Sequence, residues 1–354
     1  MPLHACSQGE SGYHCGGHLN FVMHDDAPNG EQMSTSVTLR VPARLHLGFL
    51  DPSGDADRRF GSLGLPLSEP ETVVTLSRSA ENHVAGPEST RAAAHLTTLC
   101  RHLGIRTRHR LVIEEAIPAH AGLGSGTQIA LAVAASLRAL HHLPLDIEGD
   151  ATVLARGARS GIGIASFESG GVIIDAGKGG SSRPPTVVAR LPFPEEWRVI
   201  LVLDHKREGI HGAAEVAAFR ALPPFPRSGT GEICRQVLTV MMPALIERDL
   251  AAFGAAVSAV QMLVGTHFAP AQGGIFTSSR VERVIGGLAE AGAVGIGQSS
   301  WGPTGFAFAG SQNDAERMVA SAAALIADGI ETRIVRGRNR GATISAHGLD
   351  LVGS

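Results

Sequence analysis

The chain has 354 residues, a length that accommodates about two domains. Hydrophobic residues make up 44% and charged residues 18%, which excludes a chain kept unfolded by self-repulsion. The 30 Lys and Arg against 33 Asp and Glu give a net charge of −3 with no basic block, so no nucleic-acid partner is expected.

In chain order, residues 1–34 come first, holding His4, Cys6, His14, Cys15, His18 and His24 without an apolar period. A zinc site and a disordered extension are the two readings. The C-x2-C or H-x3-5-H spacing of a zinc site is missing, so disorder is expected, with Met33 as a second possible start. This start lacks the apolar stretch of a signal peptide, and no run approaches about 18 apolar residues. Cys6, Cys15, Cys100 and Cys234 are too scattered for a disulfide framework. A cytoplasmic protein with no membrane partner is expected.

Alternation of Val37, Leu39 and Val41 marks a first strand, and residues 45–50 continue it. The pattern then predicts a strand at 72–76, a helix over 88–103 and a strand at 110–114. Residues 118–127 break regular structure and lead into a helix over 129–140, apolar nearly all round and therefore buried. A Gly/Ser-rich connection over 157–171 precedes a strand at 172–175. Next come a Pro-rich surface crossing at 183–194 and a buried strand at 199–203 that ends on Asp204. Helices are expected over 232–247, 250–263, 277–291 and 313–327, with strands near 294–297, 305–309 and 331–335. This order argues for an α+β fold of two layered domains, 35–195 and 196–354.

Chemistry concentrates in a few places. Gly122, Leu123, Gly124, Ser125, Gly126, Thr127 and Gln128 stand between a strand and the buried helix. Glycines allow close backbone approach, and first-turn N–H groups, here those of Gly126, Thr127 and Gln128, have no intrahelical partner, so a phosphate or pyrophosphate fits. A plain tight turn is the alternative. The spelling matches neither a Walker A loop nor a dinucleotide fingerprint. Arg44 and His46 lie on an early strand beside Asp51. Lys206, Arg207 and His211 follow a buried strand on a charged loop, read either as substrate-facing cations or as a solvated loop. Glu168 and Asp175, with Asp51, are oxygen donors for Mg2+.

Pro118 followed by Gly122-Leu-Gly-Ser-Gly126 resembles the phosphate loop of the GHMP kinase superfamily, and the resemblance spans most of 35–340. It implies a two-domain GHMP-kinase-like fold, with a ribosomal-S5-like N-terminal and a ferredoxin-like C-terminal domain. The superfamily's S-G-I-D motif aligns with Ser160-Gly-Ile-Gly163, which puts a glycine where kinases carry the base that activates the substrate hydroxyl. Glycine takes no proton, so kinase chemistry is in doubt. A third region, 295–305, replaces the kinases' glycine run with Gln298, Ser299, Ser300 and Trp301.

These departures, with the stretches 43–51, 59–64 and 156–163, resemble the β-ribofuranosylaminobenzene 5′-phosphate synthase branch of methanopterin biosynthesis. That branch condenses 4-aminobenzoate with 5-phosphoribosyl 1-pyrophosphate, releasing CO2 and pyrophosphate, with Mg2+. The resemblance implies a homodimeric transferase in which Arg44, His46, Lys206, Arg207 and His211 serve catalysis. Gly122 to Gln128, Arg159, Ser160 and Gln298 to Trp301 would bind substrate and phosphate. The rivals are an ATP-dependent small-molecule kinase and a non-catalytic ligand sensor on the same fold.

Overall fold

The computed structural model describes residues 20–23, 35–52, 58, 60–180, 183–210 and 212–347. The first half runs β1 (Asn20–Met23), β2 (Ser36–Asp51), β3 (Phe60–Ser79), β4 (His83–Ala85), α1 (Ser89–His102) and β5 (Arg108–Glu115). It continues through α2 (Ser125–Leu140), α3 (Ile147–Val153), α4 (Ile162–Glu168), β6 (Val172–Asp175) and β7 (Val187–Leu191). The second half holds β8 (Arg198–Asp204), α5 (Gly212–Ala221), α6 (Arg227–Gln236), α7 (Met242–Glu247), α8 (Leu250–Gln272) and α9 (Ser279–Glu290). Its last elements are β9 (Val294–Gln298), β10 (Gly305–Ala309), α10 (Gln312–Ser321), β11 (Ile330–Val335) and β12 (Thr343–His347).

The alternation in β2 has its cause in one buried face: Val37, Leu39 and Val41 are fully buried and pack with the apolar residues of α2. That helix is apolar all round because β2 and β3 lie on one side of it and α1, α3 and α4 on others. The sheet runs β1-β12-β2-β3-β5-β4, with β6 paired to β3 and β7 paired to β6. A second sheet, β11-β8-β10-β9, is antiparallel throughout, and α9 and α10 pack on it. The chain is thus α+β in two layered units.

Several elements depart from the expected pattern. Residues 20–23, inside the stretch expected to be disordered, form β1 and pair in parallel with β12; the rest of 1–34 lies outside the described residues. The Gly/Ser-rich connection contains α4, and the Pro-rich crossing contains β7. The helix expected over 232–247 is α6 and α7 joined by a π-helical turn at Val237–Met241. The second unit does not keep all of 196–354, because β12 crosses back to pair with β2. Helix α8 extends through Pro270 to Gln272 and is long and apolar enough to cross a membrane. Here it is a core helix: Phe253, Val257, Val260, Val264 and Phe268 are buried in the cluster that joins the two sheets.

Candidate active site

A cleft of about 530 Å³ opens between β2, the loop before α2, the turn after α3 and the segment after β9. The loop owes its shape to glycine. Gly122 and Gly124 sit at φ 82° and 86°, a left-handed conformation costly for other residues. A Cβ on Gly122 would lie 2.2 Å from the Ser299 carbonyl, so the loop and the 299–302 turn touch backbone to backbone. Gly124 is the N-cap of α2, and its carbonyl accepts the N–H groups of Thr127 and Gln128 at 3.1 Å. The amides left for an anion are therefore those of Ser125 and Gly126, a set that starts one residue earlier than the spacing suggested and loses Thr127 and Gln128.

Arginines gather around these amides. Arg44, on β2, donates to the Gly122 carbonyl at 2.6 Å, and burial pulls its pKa down to about 10, which leaves it cationic. A methyl on Gly126 would stand 3.5 Å from Arg156 Nη1 and 3.8 Å from Arg91 Nη1, so two guanidinium groups overhang the first turn of α2. Arg91 is paired with Glu88 at 2.8 Å. No carboxylate pairs with Arg156 among the described residues; it meets His95 at 3.4 Å, and burial and then Arg91 lower its pKa. Burial and these two cations pull His95 down to about 4, so it adds no charge. Arg159 faces Glu215 at 2.7 Å on the cleft wall, and Ser160 lines the same wall.

At the other end stand His46 and the 298–301 turn. The His46 N–H donates to Ser299 Oγ at 3.0 Å, and that hydroxyl donates to the Gly122 carbonyl at 2.8 Å, tying β2, the loop and the turn together. His46 is 2% exposed, and burial, with the Arg44 charge, pushes its pKa down to about 3. Ser300 adopts φ 56°, and Trp301 packs on Phe268 with ring centroids 4.5 Å apart.

Two domain models match, the GHMP kinases N terminal domain over 90–175 and the GHMP kinases C terminal over 241–327. A β-ribofuranosylphenol 5′-phosphate synthase of Methanothermobacter thermautotrophicus is 33% identical over 332 residues, 88% of this chain and 99% of that protein. One from Archaeoglobus fulgidus, of the same name, is 32% identical over 87% and 99% of the two chains. The chain belongs to this synthase family. Among solved structures, a homoserine kinase from Cytophaga hutchinsonii superposes with TM-score 0.66 at 18% identity, covering 89% of this chain and 99% of that one. The phosphomevalonate kinase of Streptococcus pneumoniae gives 0.64 at 12% identity over 86% and 100%. These two show the fold alone.

In this family member, Gly163 offers no base, and a side chain there would press on Thr127. A Cβ there would lie 3.0 Å from Thr127 Cγ2, and the Gly163 carbonyl accepts Gln128 Nε2 at 3.0 Å. Other expected residues stay out of the cleft. Lys206 is ion-paired with Asp328 on the surface, and Arg207 donates to the Thr277 carbonyl at 3.0 Å. His211 lies outside the described residues. Asp204 anchors its own turn, accepting from Ser278 Oγ at 2.7 Å and Arg280 Nη1 at 3.1 Å. Among the described residues of that loop, Gly209, Ile210 and Gly212 line the cleft.

The three carboxylates expected to hold Mg2+ do not converge. Asp175 accepts the N–H groups of Gly161 and Gly177, both at 2.9 Å, and burial still raises its pKa to about 6. Glu168 faces Arg190 at 3.9 Å, and Asp51 ends β2 in the electrostatic reach of His267 and Cys234. Among the described residues no group of three His, Cys, Asp or Glu could hold a metal. These residues do not fit a protein-held Mg2+. The residues that sequence reasoning passed over are Arg91, an ordinary helix arginine by pattern, and Arg156, which opens the stretch 156–163 but had no role assigned to it.

Proposed function

We propose that the chain condenses a para-substituted benzoate with 5-phosphoribosyl 1-pyrophosphate, releasing CO2 and pyrophosphate and leaving a ribofuranosyl-arene 5′-phosphate for methanopterin synthesis. The motifs resemble an enzyme using 4-aminobenzoate, whereas the relatives' name carries a phenol, which favours 4-hydroxybenzoate. The two acceptors differ only in the heteroatom para to the reacting carbon. The observation that carries this reading is a cleft with arginines and free first-turn amides at one end and, at the kinase base position, a glycine packed against Thr127.

The chemistry asks for what the cleft supplies. As pyrophosphate leaves, positive charge develops at the ribosyl anomeric carbon. The ring carbon that bears the carboxylate, made electron-rich by the para heteroatom, attacks it. The electrons of the bond to the departing CO2 then restore the ring, so no base has to remove a proton. Arg44, Arg91, Arg156 and the Ser125 and Gly126 amides neutralise the leaving group without reorganising, and the buried wall at His46 and Trp301 holds the ring out of water. Mg2+ would arrive with the pyrophosphate rather than in a cage of protein carboxylates.

The test is release of labelled CO2 from carboxyl-labelled 4-hydroxybenzoate and 4-aminobenzoate. Release requiring phosphoribosyl pyrophosphate, with pyrophosphate in equal amount, is the expected result. Stoichiometric ADP from ATP and a small alcohol, without CO2, would overturn it in favour of a kinase.

A further inference from the structure

Beside the cleft lies a second, much smaller cavity of about 20 Å³, lined among others by His46, Phe49, Val264, Phe268, Gln272 and Gln298. His46, Phe49 and Ser300 line both spaces, so the two share a wall. Its size admits about one water-sized group, a single heavy atom with its hydrogens, and far less than a benzene ring.

The polar groups of the wall are largely spent on one another. Gln261 Nε2 donates to the Leu47 carbonyl at 2.8 Å, and its Oε1 accepts the Gln298 N–H at 2.8 Å. Gln298 Oε1 accepts the Thr277 N–H, and its Nε2 donates to the Ser300 carbonyl at 3.0 Å. Gln272 donates to the Ile275 carbonyl at 2.8 Å, and its Oε1 lies 3.3 Å from Gln298 Nε2. His46 differs: its Nε2 is buried without a hydrogen-bond partner. A buried nitrogen left unpaired is costly, and such an orphan calls for a reason. The ring packs on Phe49 at 4.5 Å between centroids, and the His46 backbone N–H is bonded to Ser299 Oγ, which fixes where the strand presents the ring.

We propose that this cavity receives the para heteroatom of the aromatic co-substrate, and that His46 Nε2 is its hydrogen-bond partner. The inference rests on the function proposed above and adds what it leaves open, the group that selects the acceptor. The benzoate ring then lies in the cleft along the shared wall, with its carboxylate-bearing carbon directed towards the arginine-rich end. A hydroxyl or amine that donates to a neutral imidazole pushes electron density to the para carbon, and no proton changes hands. Because burial keeps His46 neutral, one ring nitrogen keeps an acceptor lone pair, and the proposed contact requires the tautomer that carries it on Nε2. His46 is on this view a specificity-determining residue that touches substrate.

The experiment compares binding of 4-hydroxybenzoate and 4-methylbenzoate, equal in size and unequal in hydrogen bonding, to the full chain by calorimetry with inorganic pyrophosphate present. The wild-type chain should prefer the hydroxyl compound at least about tenfold, because a site built around a hydrogen bond rejects the analogue that lacks it. His46→Leu should bring the ratio within about twofold, and His46→Gln, which keeps a hydrogen-bonding head, should restore part of it. In the wild-type chain, which needs no variant to fold, the imidazole nitrogen resonance of His46 should move with 4-hydroxybenzoate and stay with 4-methylbenzoate. An unchanged ratio in His46→Leu, or an unmoved resonance, overturns the proposal while CO2 release from the wild type leaves the proposed reaction standing. If the wild-type chain neither binds a benzoate nor releases CO2, both fall.

Discussion

The loop that ends on Gly122 and Gly124 before α2 and the loop over 204–210 both join a sheet to a helical region, and both carry turn-forming residues, yet they end differently. At the first, glycines bring the backbone against Ser299 and Gly302, and of the three cations near it Arg91 is paired with Glu88, whereas Arg44 and Arg156 form no ion pair among the described residues. At the second, three charges are taken up away from the cleft: Asp204 holds Ser278 and Arg280, Lys206 holds Asp328, and Arg207 is bonded to the Thr277 carbonyl. A cation serves a ligand best where it faces the cleft beside free backbone amides and has charge left over. The density of charge in a segment therefore says less about a site than which charges remain uncompensated beside free backbone amides.

The sharpest way to break this comparison is at the backbone. Gly122→Ala places a Cβ 2.2 Å from the Ser299 carbonyl at a left-handed φ, and neither group can yield cheaply. Loss of nearly all activity with a large drop in melting temperature is expected; turnover and melting close to wild type would show that the two turns need not touch. Next comes Arg156→Ala, which removes a half-buried charge over the first turn of α2. A charge-assisted hydrogen bond is worth about 1.5–3 kcal/mol, so kcat/KM for phosphoribosyl pyrophosphate should fall about 10- to 150-fold.

Acid titration sharpens the same contrast on the His46 side. The imidazole titrates near 6.5 when unfolded and about 3 when folded. Between those values the unfolded chain binds a proton that the folded chain does not, so stability rises with pH and is lost as pH falls below 6.5. One residue contributes at most about 1.4 kcal/mol per pH unit across that window. Denaturant melts from pH 7 to 4 should show a shallower slope in His46→Leu, leaving the share of His95 and His109, whose pKa values burial also lowers. The smallest effect belongs to Lys206→Ala, which breaks an exposed pair with Asp328 and should leave kcat/KM within about twofold. A tenfold loss there would return the 204–210 loop to the site.

The order of the main elements was legible because period and burial agree in β2, α2 and β8, where one face or the whole surface is apolar. Helices α3 and α4 were missed because each is short and lies in Gly, Ser and charged residues that read as connection. Strand β12, Thr-Ile-Ser-Ala-His, carries one large apolar residue, Ile344, and is a strand because β2 offers it an edge. That is a long-range reason with no local signature. In the site, the glycine spacing exposed the loop and a motif exposed Arg44 and His46. Arg91 showed nothing beyond a helical i,i+3 pair with Glu88. Its use depends on α1 lying beside α2, which packing alone decides.

The return of β12 has a consequence for how the protein is made. The strand Thr343–His347 fills the edge of β2 next to Thr38 and Leu39, more than 300 residues upstream, and Ile344 is fully buried in the first core. During synthesis the amino-terminal unit emerges with β2 presenting an unpaired, apolar edge, the kind of surface that joins the wrong neighbour. Its sheet can close only after residues 343–347 have left the ribosome. A released chain that stops before residue 343 should thus hold a complete second sheet beside an unfinished first one, so the cut damages the unit farthest from it in sequence.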